Sequence, residues 1–152
     1  MAGQPTGRTD LAREWHRRAG DLAQGCAGSF AGDEQARLAD LSALLAGTPQ
    51  SLRDMLGWPA ALAQVETTTA DAALGSVLRL VETCRGGYLL SWGADGGHIA
   101  SVVLPGAAEE VTLSADSAAL ALMGALALAL SERDTLRGPG RSLYRPDGVR
   151  LN

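Results

Sequence analysis

The hydrophobic pattern of this chain changes character twice. Up to about residue 84 apolar positions recur every three or four residues, the spacing of one helix face; from 88 to 113 they alternate, and from 117 an almost wholly apolar run follows. Leu11, Trp15, Ala19, Leu22 and Cys26 form the first stripe, with Arg13, His16, Arg17 and Asp21 on the opposite face. Thr9 or Asp10 is placed to cap this helix, which is expected to end near residue 24, before Gly25, Gly28 and Gly32. Residues 1–8 read as a flexible arm. Asp33 stands as N-cap of a second helix through residue 46, with Leu38, Leu41, Leu44 and Leu45 inward and Gly47 as its stop. Thr48 and Pro49 carry the chemistry of a third start, a capping hydroxyl and a first-turn proline, ahead of Leu52, Met55 and Leu56. Trp58-Pro59 opens another brief helical piece toward Val65. Thr67, Thr68 and Thr69 form a polar break, so a helical segment, 9–68, is expected to give way there to a second domain, 69–133.

In that second part Thr69 caps a helix to about residue 84, with Leu74, Val77, Leu78 and Val81 on one face. Tyr88, Leu90 and Trp92 then alternate with Leu89 and Ser91, a strand signal, and residues 93–97 have turn chemistry. His98 to Leu104 makes the returning strand. A third strand over 110–113 puts Val111 and Leu113 on its buried face. Ser114 or Asp116 caps the last helix, 117–133, which is apolar nearly all round: Leu120, Leu122, Met123, Leu126, Leu128 and Leu130 have only Ala and Gly124 between them. Such a helix must be covered on more than one side. Either the N-terminal helices cover it or a twofold partner does, and the second case predicts a homodimer. The tail, 134–152, is Gly/Pro/Arg-rich and reads as extended. The fold class is therefore α+β: a helical N-terminal segment plus a three-stranded antiparallel sheet flanked by helices, in the order α-β-β-β-α.

Composition narrows the classes. The chain has 152 residues, 46% of them hydrophobic and 20% charged, which excludes a disordered or collagen-like chain. A formal charge of -4 makes the molecule as a whole unfavourable toward a phosphate backbone. All 13 basic residues are Arg and Ile99 is the only isoleucine, a GC-rich coding bias and not an arginine chemistry. Cys26 and Cys84 lie far apart without CxxC spacing, so two reduced, partly buried thiols in a cytosolic protein are expected. The N-terminus has no apolar stretch of signal-peptide length, and the apolar run over 118–130 falls short of the roughly 20 residues of a membrane span. A soluble cytoplasmic chain with no membrane contact is expected.

Candidate chemistry is sparse. His98, with Asp95 close by, has the composition of a general base and its orienting carboxylate, but a His opening a hairpin strand is more commonly a polar sheet-edge residue. His98, Asp95, Glu109 and Glu110 form no metal-ligand motif, and the Gly-rich 93–97 segment joins two strands, so it lacks the helix N-terminus of a phosphate cradle. No catalytic, metal or cofactor residue is assigned. Arg13, Arg17 and Arg18 are candidate phosphate contacts, with further arginines in the tail, although Asp10, Glu14 and Asp21 interleave with them and favour ion pairs on a solvated helix face. Tyr88, Leu90 and Trp92 share one strand face. With His98 they are the candidate partner-binding surface if exposed, and core if that face meets the helices; parity alone leaves both open.

Residues 69–132 resemble the phage α-β-β-β-α ("ABA") sandwich domain of small phage and prophage proteins. The likeness lies in the aromatic strand Gly87-Tyr88-Leu89-Leu90-Ser91-Trp92, in the strand opened by His98 (His98-Ile99-Ala100-Ser101-Val102), and in the strand-to-helix join from Val111 to Leu122. Ala119 stands where that family carries proline, and Met123-Gly124 replaces its Cys-Arg pair. The resemblance covers under half the chain. It implies a fold and a phage or mobile-element origin, and it brings no catalytic residue. The expected function is a non-catalytic interaction factor, such as an anti-defence inhibitor, that binds a host or phage protein. One alternative is a small acidic chaperone similar in size and charge to those of type III secretion. The other is a nucleic-acid-binding accessory protein that uses the arginines of the first helix and tail.

Overall fold

The computed structural model describes residues 4–58 and 70–133. The element order is α1 (Gln4–Gly28), a single 3-10 turn (Ala31–Asp33), α2 (Glu34–Ala46), α3 (Gln50–Leu56), α4 (Ala70–Thr83), β1 (Gly87–Trp92), β2 (His98–Val103), β3 (Val111–Ala115) and α5 (Ala118–Glu132). The α+β class and the antiparallel three-stranded sheet are as the alternation predicts. The sheet order is β1-β2-β3, so β2 is central and the other two strands are edges. The expected helical piece toward Val65, the threonine boundary and the C-terminal tail lie outside the described residues.

Several expected boundaries are corrected. The first helix is already formed at Gln4, so residues 4–8 are helical and not an arm. It also runs through Gly25 to Gly28, because its inner stripe continues: Trp15, Ala19, Leu22, Ala23 and Cys26 are all buried. Leu11, expected inward, is 73% exposed, and Ala12 takes the inner position. His16, expected in solvent, is half-buried, and its Nδ1 donates to the Leu130 carbonyl at 3.1 Å. Trp15 Nε1 donates to the Leu44 carbonyl at 2.8 Å, tying α1 to the end of α2.

The capping residues also differ from expectation. Asp33 precedes α2 but makes no side-chain cap; its carboxylate accepts from the Phe30 amide and closes the 3-10 turn. Thr48 turns its hydroxyl back to the Leu45 carbonyl, leaving Pro49 at the N-cap of α3. On α5 the cap is Ser117, whose hydroxyl accepts from the Leu120 amide at 3.2 Å. Asp116 reaches away and accepts from the Ala31 amide at 2.7 Å, joining the start of α5 to the 3-10 turn.

The core is built around α5. Every residue from Ala119 to Ala127 is buried, and Leu120, Leu122, Leu126 and Leu130 have no exposed surface. These leucines are core, covered within one chain by α1, α2, α4 and the sheet, with α1 making the most extensive contact. The condition set for a twofold partner on this helix is therefore not met. Gly124 marks the tightest approach. A Cβ there would lie 2.7 Å from Leu113 Cδ2 and 3.1 Å from Cys26 Cβ, so any side chain at 124 would push Leu113 and Cys26 away from α5.

Candidate interaction edge

The turn that launches β1 is made by helix termination. The Arg85 amide donates to the Glu82 carbonyl and the Gly86 amide to the Val81 carbonyl, both at 2.9 Å. Arg85 takes the left-handed conformation, φ 60, that ends a helix and that glycine adopts without cost. Gly86 cannot exchange places with it, since a Cβ at 86 would lie 3.0 Å from the Val103 carbonyl oxygen. The chain then enters β1 directly.

The hairpin that follows sets the strand's hydrogen-bond phase. The Gly96 amide donates to Gly93 O at 3.1 Å and the Gly93 amide to Gly97 O at 2.9 Å, while Gly96 has φ 88. This is a three-residue loop of a turn followed by a left-handed glycine. Residues 93 and 97 are therefore a hydrogen-bonded pair, continuing the register Trp92↔His98, Ser91↔Ile99, Leu90↔Ala100. Bonding alternates along an antiparallel ladder. Ser91, Leu89 and Gly87 thus bond to β2, and the main-chain groups of Tyr88, Leu90 and Trp92 point outward from the sheet edge.

The side-chain faces follow from the same register. Tyr88, Leu90 and Trp92 lie opposite Val102, Ala100 and His98. Val102 and Ala100 are fully buried, and Leu113, opposite Ala100 on the other side, packs against Gly124. The aromatic stripe therefore sits on the helix-facing side of the sheet, at the margin of the helical cover. Leu90 packs against the core, Tyr88 is 42% exposed and Trp92 76% exposed. Both readings left open by parity hold in part: the face is the core face, and its outer strand overhangs the core.

Leu89, not singled out by the sequence reading, is 64% exposed on the opposite face. The signal for it was present, since Tyr88-Leu89-Leu90 is apolar without alternation and so carries apolar groups on both faces. His98 belongs to the surface through Trp92, with ring centroids 6.3 Å apart and planes at 49°. Asp95 does not orient it as a base would require; Oδ1 accepts from the Gly97 amide at 3.0 Å and holds the turn.

The arginines of α1 are divided. Arg17 is held between Glu14 and Asp21 on the exposed face, the intrahelical pairing its neighbours predict, while Arg13 and Arg18 are exposed. Cys26 and Cys84 are free thiols and both are buried. Burial pushes the Cys26 thiol up to about 12, and burial likewise raises Cys84. Both are thereby held as protonated, unreactive groups at neutral pH. Among the described residues no three His, Cys, Asp or Glu side chains gather as a metal would need. No helix among them is long and apolar enough to cross a membrane.

The fold and this site define an α+β protein whose three-stranded sheet is, among the described residues, left uncovered at the uncharged, aromatic edge of β1. Comparison with protein-family models, with curated proteins and with solved structures finds no match to this chain.

Proposed function

We propose that this chain is a non-catalytic protein-interaction factor that engages its partner through β1, with Tyr88, Leu90, Trp92 and His98 as the contact surface. The observation that carries the reading is the exposure of Tyr88, Leu89 and Trp92 together on one edge strand. A soluble chain normally blunts such an edge with charge, proline or a covering element, and residues 87–92 contain none of the first two. Aromatic residues on a desolvatable strand are the usual anchors of a protein interface. The resemblance to the phage sandwich domain supports an accessory role in a phage or mobile element, acting in the cytoplasm by occluding or assembling a host or phage protein.

The test is tagged capture from native host lysate, nuclease-treated and untreated, with the wild-type chain beside Trp92→Asp. A stoichiometric protein that survives nuclease and is lost with Trp92→Asp supports the reading. A partner retained by Trp92→Asp removes this surface. Loss of all co-purifying material on nuclease treatment transfers the activity to Arg13, Arg18 and nucleic acid.

A further inference from the structure

We infer that the strand laid against β1 belongs to a second copy of this chain, so that two sheets join edge to edge about a twofold axis at Leu90. The inference rests on β1 being the interaction edge proposed above, and it names the occupant of that edge.

Three features point to a second copy. The first is hydrogen-bond phase. Tyr88, Leu90 and Trp92 present their amides and carbonyls outward, as the Gly93–Gly97 bond fixes. In an antiparallel pairing of β1 with itself, only the register centred on Leu90 engages all three, each as donor and acceptor. Tyr88 then meets the partner's Trp92, and Leu90 meets the partner's Leu90. The second is side-chain fit. Cross-strand neighbours share a face, so each Tyr88 lies against a Trp92, and rings now 42% and 76% exposed cover one another.

The third feature is charge. Residues 87–92 carry none, so like strands meet without repulsion despite the net charge of -4. The two ends of the strand carry opposite charges: Arg85 sits exposed just before it and Asp95 exposed in the turn beyond. The same register brings Arg85 to the end that holds the partner's Asp95, and Asp95 to the end that holds the partner's Arg85. A parallel or shifted pairing loses this match. The complementarity is intrinsic to one sequence, which a heterologous strand would have to reproduce independently. The joined sheets form a six-stranded layer on which both aromatic stripes are continuous.

Sedimentation of the full chain across a micromolar dilution series tests this. The wild type is expected to be a reversible dimer. Arg85→Asp, which places like charges at both ends of the pairing, should weaken it by roughly tenfold. Asp95→Asn, which keeps the Oδ1 acceptor that holds the turn and removes only the charge, should weaken it by a smaller factor. Tyr88→Pro removes an outward amide without touching the β1–β2 bonds and should abolish the dimer, whereas Tyr88→Val, which keeps that amide, should retain it in weakened form. A monomeric wild type, or a dimer indifferent to the single charge changes and to Tyr88→Pro, overturns the inference. A monomer that still captures a protein through Trp92 overturns only the self-pairing. A dimer that captures nothing leaves the pairing standing and removes the heterologous partner.

Discussion

Helix α5 and strand β1 are both almost purely apolar in sequence, yet one is sealed and the other open. From Ala119 to Ala127 every residue of α5 is buried, whereas β1 leaves Tyr88, Leu89 and Trp92 to solvent. The difference is one of position in the layers. α5 lies at the centre, in contact with α1, α2 and α4 and extensively with β2 and β3, but only slightly with β1. β1 is the far edge of a sheet whose opposite edge, β3, is the one α1 reaches. Apolarity therefore signals an interface only where the described elements leave it uncovered.

The sharpest way to separate the regions is to remove equal side chains from each. Leu126→Ala should lower unfolding free energy by about 2–5 kcal/mol, since the leucine is fully buried in the core. Leu89→Ala, at 64% exposure, should change it by less than about 0.5 kcal/mol. Equal losses in denaturant melts of the dilute monomer would mean that Leu89 is covered within its own chain.

The sealed core also makes a prediction in pH. The Cys26 thiol is raised by burial to about 12, well above its ordinary range near 8.5. Its protonated form is favoured by folding, so its contribution is fully present below about pH 8.5 and is lost as pH climbs toward 12. Stability should fall over that window by roughly 1.4 kcal/mol per pH unit at most for this thiol. Cys84, raised in the same direction, adds to the slope. Replacing Cys26 by Ala should flatten the alkaline slope even where it lowers stability overall. A thiol reagent at neutral pH should modify neither cysteine until the chain unfolds.

The junction between the two regions can be tuned on its own. Arg85 holds a left-handed conformation at the end of α4, and Arg85→Gly relieves it without touching the core. Melts of the dilute monomer should show a gain of about 0.5–1 kcal/mol, with the glycine's greater unfolded-state freedom taking back part of the relief. An unchanged or lower midpoint would show that Arg85 contributes contacts within its own chain.

How much of this was legible in the sequence depends on the scale of the feature. Strand alternation from Tyr88 to Leu113 and the all-round apolarity of residues 118–130 are long-range patterns enforced by burial, and the elements they predict are present. The capping bonds expected of Asp33, Thr48 and Asp116 are not made, because each side chain has a competing partner: Asp33 and Thr48 turn back to backbone groups three residues earlier, and Asp116 is drawn to a partner that only the tertiary structure brings near. Asp116 is the clearest instance: its carboxylate is taken by Ala31, far away in sequence, and Ser117 caps in its place. Gly25 looked like a helix stop, but a glycine is tolerated mid-helix when the inner stripe continues, as it does to Cys26. For the candidate site, periodicity correctly grouped Tyr88, Leu90 and Trp92 on one face. The extent of the helical cover over that face is not periodic information, and it is what divides Leu90 from Trp92.

That division gives the smallest expected effect on stability and the one with the clearest meaning for function. Trp92 lies opposite His98 at the hairpin end of the open strand, 76% exposed, and contributes little buried area to lose. In the dilute monomer Trp92→Asp should therefore shift the unfolding free energy by no more than about 0.5 kcal/mol and leave a single cooperative transition. An aspartate at that position also sets a desolvation cost against any strand or protein surface that closes over it. If the unchanged melt is accompanied by loss of association, the aromatic group at 92 serves binding and not folding. A melt lowered by several kcal/mol would place Trp92 with α5 and end the contrast between the two regions.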